Sequence, residues 1–206
     1  GACWGDVNRD GWLDLYVTER ALQFSTNRNF LYLNNGDRTF TEIGETAGVD
    51  DPQKAAFCSA FFDFNNDHWP DLYTAHDKTQ GNTLLRNNAD LSFSNISAEA
   101  GAGLVMNAMS VTIGDYNCDG WQDVYISNTP DGNRLLRNNG DETFTEVSEA
   151  TGTTFNGIGW SAQFFDADND GFEDLYVSGM SVGSELVSSA FYHNNGQGAF
   201  EQPDAG

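Results

Sequence analysis

Apolar and polar positions along this chain fall into short alternating runs, and the same succession of runs comes round four times. Thr39-Phe40-Thr41-Glu42-Ile43, Ser92-Phe93-Ser94-Asn95-Ile96, Thr143-Phe144-Thr145-Glu146-Val147 and Ala199-Phe200-Glu201 each set one face against the other, the period of a strand with one side buried and one wet. Leu15-Tyr16-Val17, Leu72-Tyr73-Thr74, Val124-Tyr125-Ile126 and Leu175-Tyr176-Val177 are β-type runs of a second kind. Residues 56–62, 108–113 and 160–165 predict a third strand, of which Ala2-Cys3-Trp4 is the tail in the first copy. A fourth strand ends in Leu31-Tyr32-Leu33-Asn34-Asn35-Gly36-Asp37, Leu84-Leu85-Arg86-Asn87-Asn88-Ala89-Asp90, Leu135-Leu136-Arg137-Asn138-Asn139-Gly140-Asp141 and Phe191-Tyr192-His193-Asn194-Asn195-Gly196. Asn-Gly there supplies the positive φ angles of a tight hairpin. Residues 42–48 and 146–152 have room for a short helical turn, and nothing supports a long amphipathic helix.

Between the third kind of strand and the β-type run stands an aspartate-rich loop. It occupies residues 6–14, 63–71, 115–123 and 166–174, an interval of 51 to 57 residues that marks propellers and solenoids. The repeating unit is strand, acidic loop, strand, variable loop, strand, Asn-Gly turn, strand. Four antiparallel strands in about fifty residues make one propeller blade. The expected fold is all-β, a single β-propeller region over 1–206 with blade units at about 1–50, 51–103, 104–154 and 155–206. A ring closed by four blades fits this length. An arc of a larger propeller is preferred, because open blade edges would otherwise invite aggregation. The chain starts without Met inside a repeat, which reads as a processed product or a segment of something longer.

Oxygen side chains hold positions 1, 3, 5 and 9 of every loop: Asp6, Asn8, Asp10, Asp14; Asp63, Asn65, Asp67, Asp71; Asp115, Asn117, Asp119, Asp123; Asp166, Asp168, Asp170, Asp174. Hard oxygen donors, completed by a backbone carbonyl and water, suit Ca²⁺ at roughly 2.3–2.6 Å, whereas zinc and copper prefer imidazole or thiolate. The carbonyl is expected from position 7, filled by Trp12, Trp69, Trp121 and Phe172. Up to four Ca²⁺ ions, one per repeat, are therefore expected. Gly11, Gly120 and Gly171 stand at position 6, where the tight loop needs a conformation most residues resist; His68 replaces glycine in the second loop, which should be the least regular. The loop is no EF-hand, because position 12 is Val17, Thr74, Ile126 or Val177 in place of a bidentate Glu. A single copy would pass for an acidic hairpin turn; four matched copies argue for metal.

The net charge of −22 would repel itself in a compact state, and three or four carboxylates in each loop account for much of it. Nine Lys and Arg spread along 206 residues leave no basic patch for nucleic acid. No apolar stretch approaches the roughly 18–20 residues a membrane span needs, and no signal peptide is present at Gly1. Cys3, Cys58 and Cys118 have no metal-type spacing and read as buried thiols, although Cys3 and Cys58 stand at similar places in successive repeats and would be able to pair. The triplet Asn95-Ile96-Ser97 is a glycosylation sequon of a kind expected by chance. His68, His76 and His193 lack a recurring partner and read as surface histidines. No nucleophile with a base, and no distinctive carboxylate pair, points to catalysis. The position-7 aromatics are expected to pack between neighbouring blades, with sugar stacking as the alternative.

Taken together, the motif Asp-x-Asn-x-Asp-Gly-x-x-Asp-Leu-Tyr-Val and the intervening Asn-x-Leu-Leu-Arg-Asn-Asn-Gly-Asp-x-Thr-Phe-Thr-Glu-Val resemble the FG-GAP/VCBS repeats of integrin-α-type calcium-binding β-propellers, in the flavour of the secreted cartilage-acidic-protein-like group whose bacterial relatives often carry an ASPIC/UnbV segment. The resemblance runs from Gly1 to about Phe200 and implies about seven blades, Ca²⁺ in each loop and an extracellular, cell-surface or periplasmic setting. It implies a non-catalytic adhesion, recognition or scaffold module, with a protein or glycan as partner, or a place in a larger assembly. The rival expectation is a glycan-binding or glycan-processing module. A partner site would be sought in the variable loops 19–29, 76–82, 128–133 and 178–189, since specificity resides in loops on a rigid scaffold.

Overall fold

The computed structural model describes residues 1–20, 27–78, 80–129, 131–155, 157–180 and 189–202. All four variable loops lie partly outside these residues. The chain divides into two compact units, Gly1–Asn107 and Ala108–Gly206.

In the first unit, β1 (Ala2–Gly5), β2 (Asp14–Val17), β3 (Phe30–Asn34) and β4 (Phe40–Glu42) form one antiparallel sheet in that order. After the one-turn helix α1 (Gly44–Ala47), β5 (Ala56–Phe62), β6 (Asp71–His76), β8 (Thr83–Asn87) and β9 (Phe93–Asn95) form a second. A two-stranded ribbon pairs β7 (Gln80–Gly81) with β10 (Val105–Met106). The ribbon has no counterpart in the expected unit, because a two-residue strand carries too little pattern to be read.

The second unit repeats the plan. Strands β11 (Ala108–Gly114), β12 (Asp123–Asn128), β13 (Arg134–Asn138) and β14 (Phe144–Glu146) make one four-stranded antiparallel sheet. The other, after α2 (Ser148–Thr151), comprises β15 (Ile158–Phe165), β16 (Asp174–Met180), β17 (Ser189–Asn194) and β18 (Phe200–Glu201). Both helical turns fall where a turn was expected and close on Gly48 and Gly152 at positive φ. The register slips by one residue between Ala56 and Cys58, Ala108 and Ser110, and Gly159 and Ser161. The extra residues are Phe57, Met109 and Trp160, so the bulge is itself a repeated feature that re-aims a side chain.

Each unit has an apolar core in which one repeat packs on the next. Tyr16, Leu31, Val49, Leu72 and Phe93 are among the buried cluster of the first unit, and Tyr125, Leu135, Phe164, Leu175 and Tyr192 among that of the second. Tyr16 meets Phe61 edge-on at 6.2 Å, and Tyr125 meets Phe164 in the same way at 6.2 Å. The tyrosine hydroxyl, buried at the middle of the first three β-type runs, needs partners of its own. Tyr16 donates to the Val49 carbonyl at 2.8 Å and accepts from Asn29 Nδ2 at 2.8 Å, while Asn29 Oδ1 accepts the Glu19 N–H. Tyr73 does the same with Ala102 and Asn82, and Tyr125 with Thr153 and Asn133. The asparagine that ends each of the first three variable loops thus fastens the loop to the core. Tyr176, at the matching place in the fourth sheet, is 41% exposed.

Two expectations differ from the structure. His76 is fully buried, with Nε2 2.8 Å from Asp51 Oδ2 and 3.1 Å from Thr83 Oγ1; its strand is covered on both faces, so the ring is held by a carboxylate and a hydroxyl. Cys118 is exposed, because it stands at the outward tip of the third loop. Cys3 and Cys58 are free, half-buried thiols, the preferred of the two readings; Cys3 Sγ lies 3.2 Å from Ser59 Oγ, and burial pushes its thiol up to about 11.

Candidate metal centres

The four acidic loops fold alike because their carboxylates gather the loop's own amides. At position 1 both oxygens accept: Asp6 Oδ1 takes the Asp10 N–H at 3.1 Å and Oδ2 the Gly11 N–H at 2.9 Å. Asp63, Asp115 and Asp166 accept the same pair of amides from positions 5 and 6 at 2.7–3.1 Å. The position-5 carboxylates Asp10, Asp67, Asp119 and Asp170 accept the N–H of Trp12, Trp69, Trp121 and Phe172 at 2.8–2.9 Å. In the first three loops Asn8, Asn65 and Asn117 donate Nδ2 to the far oxygen of position 5 at 2.8–2.9 Å. Asp168 has no such hydrogen to give.

To turn the chain this tightly, position 4 as well as position 6 adopts the left-handed conformation: Arg9, Asn66, Cys118 and Asn169 have φ of 55° to 61°. Gly11, Gly120 and Gly171 have φ near +90°, and His68 has φ +71°. The second loop keeps every one of these amide bonds, so its expected irregularity is absent; histidine is simply held in a conformation that costs L-residues about 1–2 kcal/mol.

Position 9 behaves differently from the other three. Asp14, Asp71, Asp123 and Asp174 are buried. One oxygen of each accepts the N–H of loop position 2, from Val7, Phe64, Tyr116 or Ala167, at 2.9–3.2 Å. The other accepts, at 2.8 Å, the N–H of the first Asn of the Asn-Asn turn: Asn34, Asn87, Asn138 or Asn194. The two sequence landmarks keep pace because this carboxylate ties them together. Burial pushes Asp71 up to about 7 and Asp123 up to about 8, against the donated hydrogen bonds; Asp14 is raised for the same reason.

The turn that receives this bond is longer than an Asn-Gly pair. Asn35, Asn88, Asn139 and Asn195 donate to the carbonyl four residues on, and the turn carries two left-handed residues, such as Gly36 and Arg38. The turn asparagines also bridge repeats within a unit. Asn87 Nδ2 reaches the Val7 carbonyl of the first loop at 2.9 Å, and Asn194 Nδ2 the Tyr116 carbonyl of the third at 2.7 Å.

The position-7 aromatics were expected between neighbouring repeats, but Trp12, Trp121 and Phe172 lie on the turn glycine of their own repeat. A Cβ on Gly36, Gly140 or Gly196 would stand 2.8–3.0 Å from those rings. The reason is the tie at position 9, which brings loop and turn side by side. In the second repeat Ala89 stands where the others have that glycine, and Trp69 carries the Arg9 guanidinium of the first repeat 5.4 Å from its ring.

Sequence reading missed His193. The last residue before the turn asparagine is Leu33, Arg86, Arg137 and His193 in successive repeats, and aligning that column would have marked it. His193 Nδ1 lies 3.1 Å from Asp174 Oδ1 and 4.0 Å from Asp168 Oδ2. Among the described residues, no helix is long and apolar enough to cross a membrane.

The FG-GAP-like repeat profile matches residues 6–74, 63–126 and 119–177, each span running from one acidic loop to the β-type run after the next. The chain belongs to the FG-GAP-like repeat family. Cartilage acidic protein 1 of Homo sapiens is 29% identical over 187 residues, covering 82% of this chain and 27% of that protein. The Xenopus tropicalis protein of the same name is 27% identical, covering 77% and 26%. This FG-GAP-like chain therefore spans about a quarter of the curated relatives it matches. A solved structure of an Agrocybe aegerita lectin, described for specific recognition of non-reducing terminal N-acetylglucosamine, aligns with 96% of this chain and 49% of its own at a TM-score of 0.50 and 21% identity. That likeness bears on the fold alone.

Proposed function

We propose that the chain is an arc of a β-propeller whose repeats are each stapled by Ca²⁺, and that it serves as a non-catalytic extracellular module for recognition, adhesion or scaffolding. The observation that carries this reading is the fourfold ring of oxygens at positions 1, 3 and 5, oriented by the same amides in every repeat. Such a ring is already organised for a hard cation. Without one, its carboxylates repel each other and the buried position-9 group has only its two backbone N–H donors to offset desolvation. The position-7 carbonyl and water would complete the shell. Family membership supports an extracellular module with a protein or glycan partner.

Thermal unfolding in excess Ca²⁺ and again in excess EGTA, at fixed ionic strength, tests the reading. Each site filled at a hundred times its Kd adds about 2.7 kcal/mol, so chelation should lower Tm sharply. Equal melting in both conditions would defeat calcium stapling.

Glycan binding is the second reading, and exposed tryptophans favour it: Trp4 is 56% and Trp160 47% exposed. A glycan array followed by a product assay separates the cases. Binding without turnover indicates a lectin, and turnover would end the non-catalytic reading.

A further inference from the structure

We propose that the fourth loop is a mixed oxygen and nitrogen centre that takes Zn²⁺ through Asp168, Asp170 and His193. The inference rests on reading the loops as cation sites and separates this loop from the other three, with zinc displacing calcium from Asp168 and Asp170 here alone. One ligand atom from each of these residues lies within 4.8 Å of the others. Zinc holds oxygen and imidazole nitrogen at about 2.0–2.2 Å, so shifts of about 1 Å in side chains that are exposed or half-exposed close the set. Two independent departures from the repeat meet here. Asp168 replaces the asparagine of the other loops, exchanging an N–H donor for a second carboxylate beside Asp170. At the end of β17 the residue is histidine, where the other repeats have leucine or an arginine that has no lone pair to offer.

Imidazole is what shifts preference from calcium toward zinc. The ring is held beside the loop by Asp174, whose Oδ1 accepts the Asn194 N–H at 2.8 Å and lies 3.1 Å from His193 Nδ1. Three protein ligands leave a position for water. The plainer account is a histidine that merely pairs with acidic neighbours, and it predicts no zinc binding.

The test is calorimetric titration of Zn²⁺ into the calcium-loaded protein, with NMR of the histidine rings. One equivalent should bind and move the His193 ring signals. His193→Gln and Asp168→Asn should each weaken it tenfold or more, while His68→Gln and Asp119→Asn leave it unchanged. Because His193 is half-exposed, the variants should melt as the parent does. Zinc that binds equally well to His193→Gln, that moves His68 instead, or that fails to bind a protein still taking calcium would overturn the inference. If neither ion binds, the calcium reading falls with it.

Discussion

The second and fourth loops depart from the repeat in opposite ways. The second breaks the motif at its most recognisable residue, His68 for glycine, yet retains the amide-to-carboxylate bonds of its siblings. The fourth keeps Gly171 and every aspartate of the motif, yet its surroundings differ because a neighbouring strand brings His193 to it. Loop geometry is therefore set by the carboxylates gathering the backbone, and a glycine only makes that geometry cheaper. Loop chemistry is set partly by a residue outside the motif.

The sharpest test of the first half of this contrast removes the tie at position 9 in the second loop. Asp71→Ala leaves the Phe64 and Asn87 N–H groups without an acceptor, and each buried orphan costs about 1–3 kcal/mol. A loss of about 2–5 kcal/mol is expected in chemical denaturation, in EGTA as well as in calcium. Asp67→Ala, at exposed position 5, should lose most of its effect once calcium is removed. Similar behaviour of the two variants would mean that position 9 is an ordinary ligand and that the amides do not set the loop.

The fourth loop offers the converse experiment. Gly171→Ala forces a Cβ into φ +91° while nothing stands within 4 Å of that Cβ, so the cost of about 1–2 kcal/mol is purely one of backbone conformation. Unfolding in EGTA isolates it from any change in metal affinity. A loss beyond about 3 kcal/mol would show that the glycine does more than ease the turn.

Transplanting the features of the fourth loop sharpens the second half. Asn117→Asp with Arg137→His gives the third loop an added carboxylate and an imidazole. Zinc affinity there should rise about tenfold, a change of about 1.4 kcal/mol, and calorimetry would read a second zinc equivalent. Either substitution alone should fall short, since one supplies no nitrogen and the other leaves an Asn donor facing the site.

Strand order and loop placement were legible because both rest on local pattern: alternation names the strands, and Asp at positions 1 and 5 names the loop. The gathering of the oxygen side chains of positions 1, 3 and 5 in one loop was legible for the same reason. What escaped depended on contacts across the chain. His76 looked like a surface residue because its partners Asp51 and Thr83 come from other segments. The aromatics of position 7 looked free to pack anywhere until the tie from Asp14 to Asn34 placed Trp12 beside Gly36. The bulges at Phe57, Met109 and Trp160 leave no mark in period-two alternation, because one extra residue in seven or eight still reads as a strand. His193 was overlooked because a motif search scores the columns that repeat, and this column varies.

The smallest expected effect bears most directly on why a histidine is tolerated at position 6. If amide capture alone holds the second loop, His68→Gly should stabilise the protein by about 0.5–1 kcal/mol. Relief of the left-handed strain exceeds the entropy that glycine adds to the unfolded chain. The His68 ring is 79% exposed and its Nδ1 stands 3.8 Å from Asp63 Oδ2, a surface pair whose loss costs little. Calcium affinity of the second loop should be unchanged, because the His68 amide that binds Asp63 is backbone and survives the substitution. Denaturant melts in calcium and in EGTA should then shift upward together. A gain in calcium alone would mean that histidine distorts the oxygen ring. A loss in both would mean that its side chain holds the loop, and the second loop would then be a distinct design that has converged on the shape of its siblings.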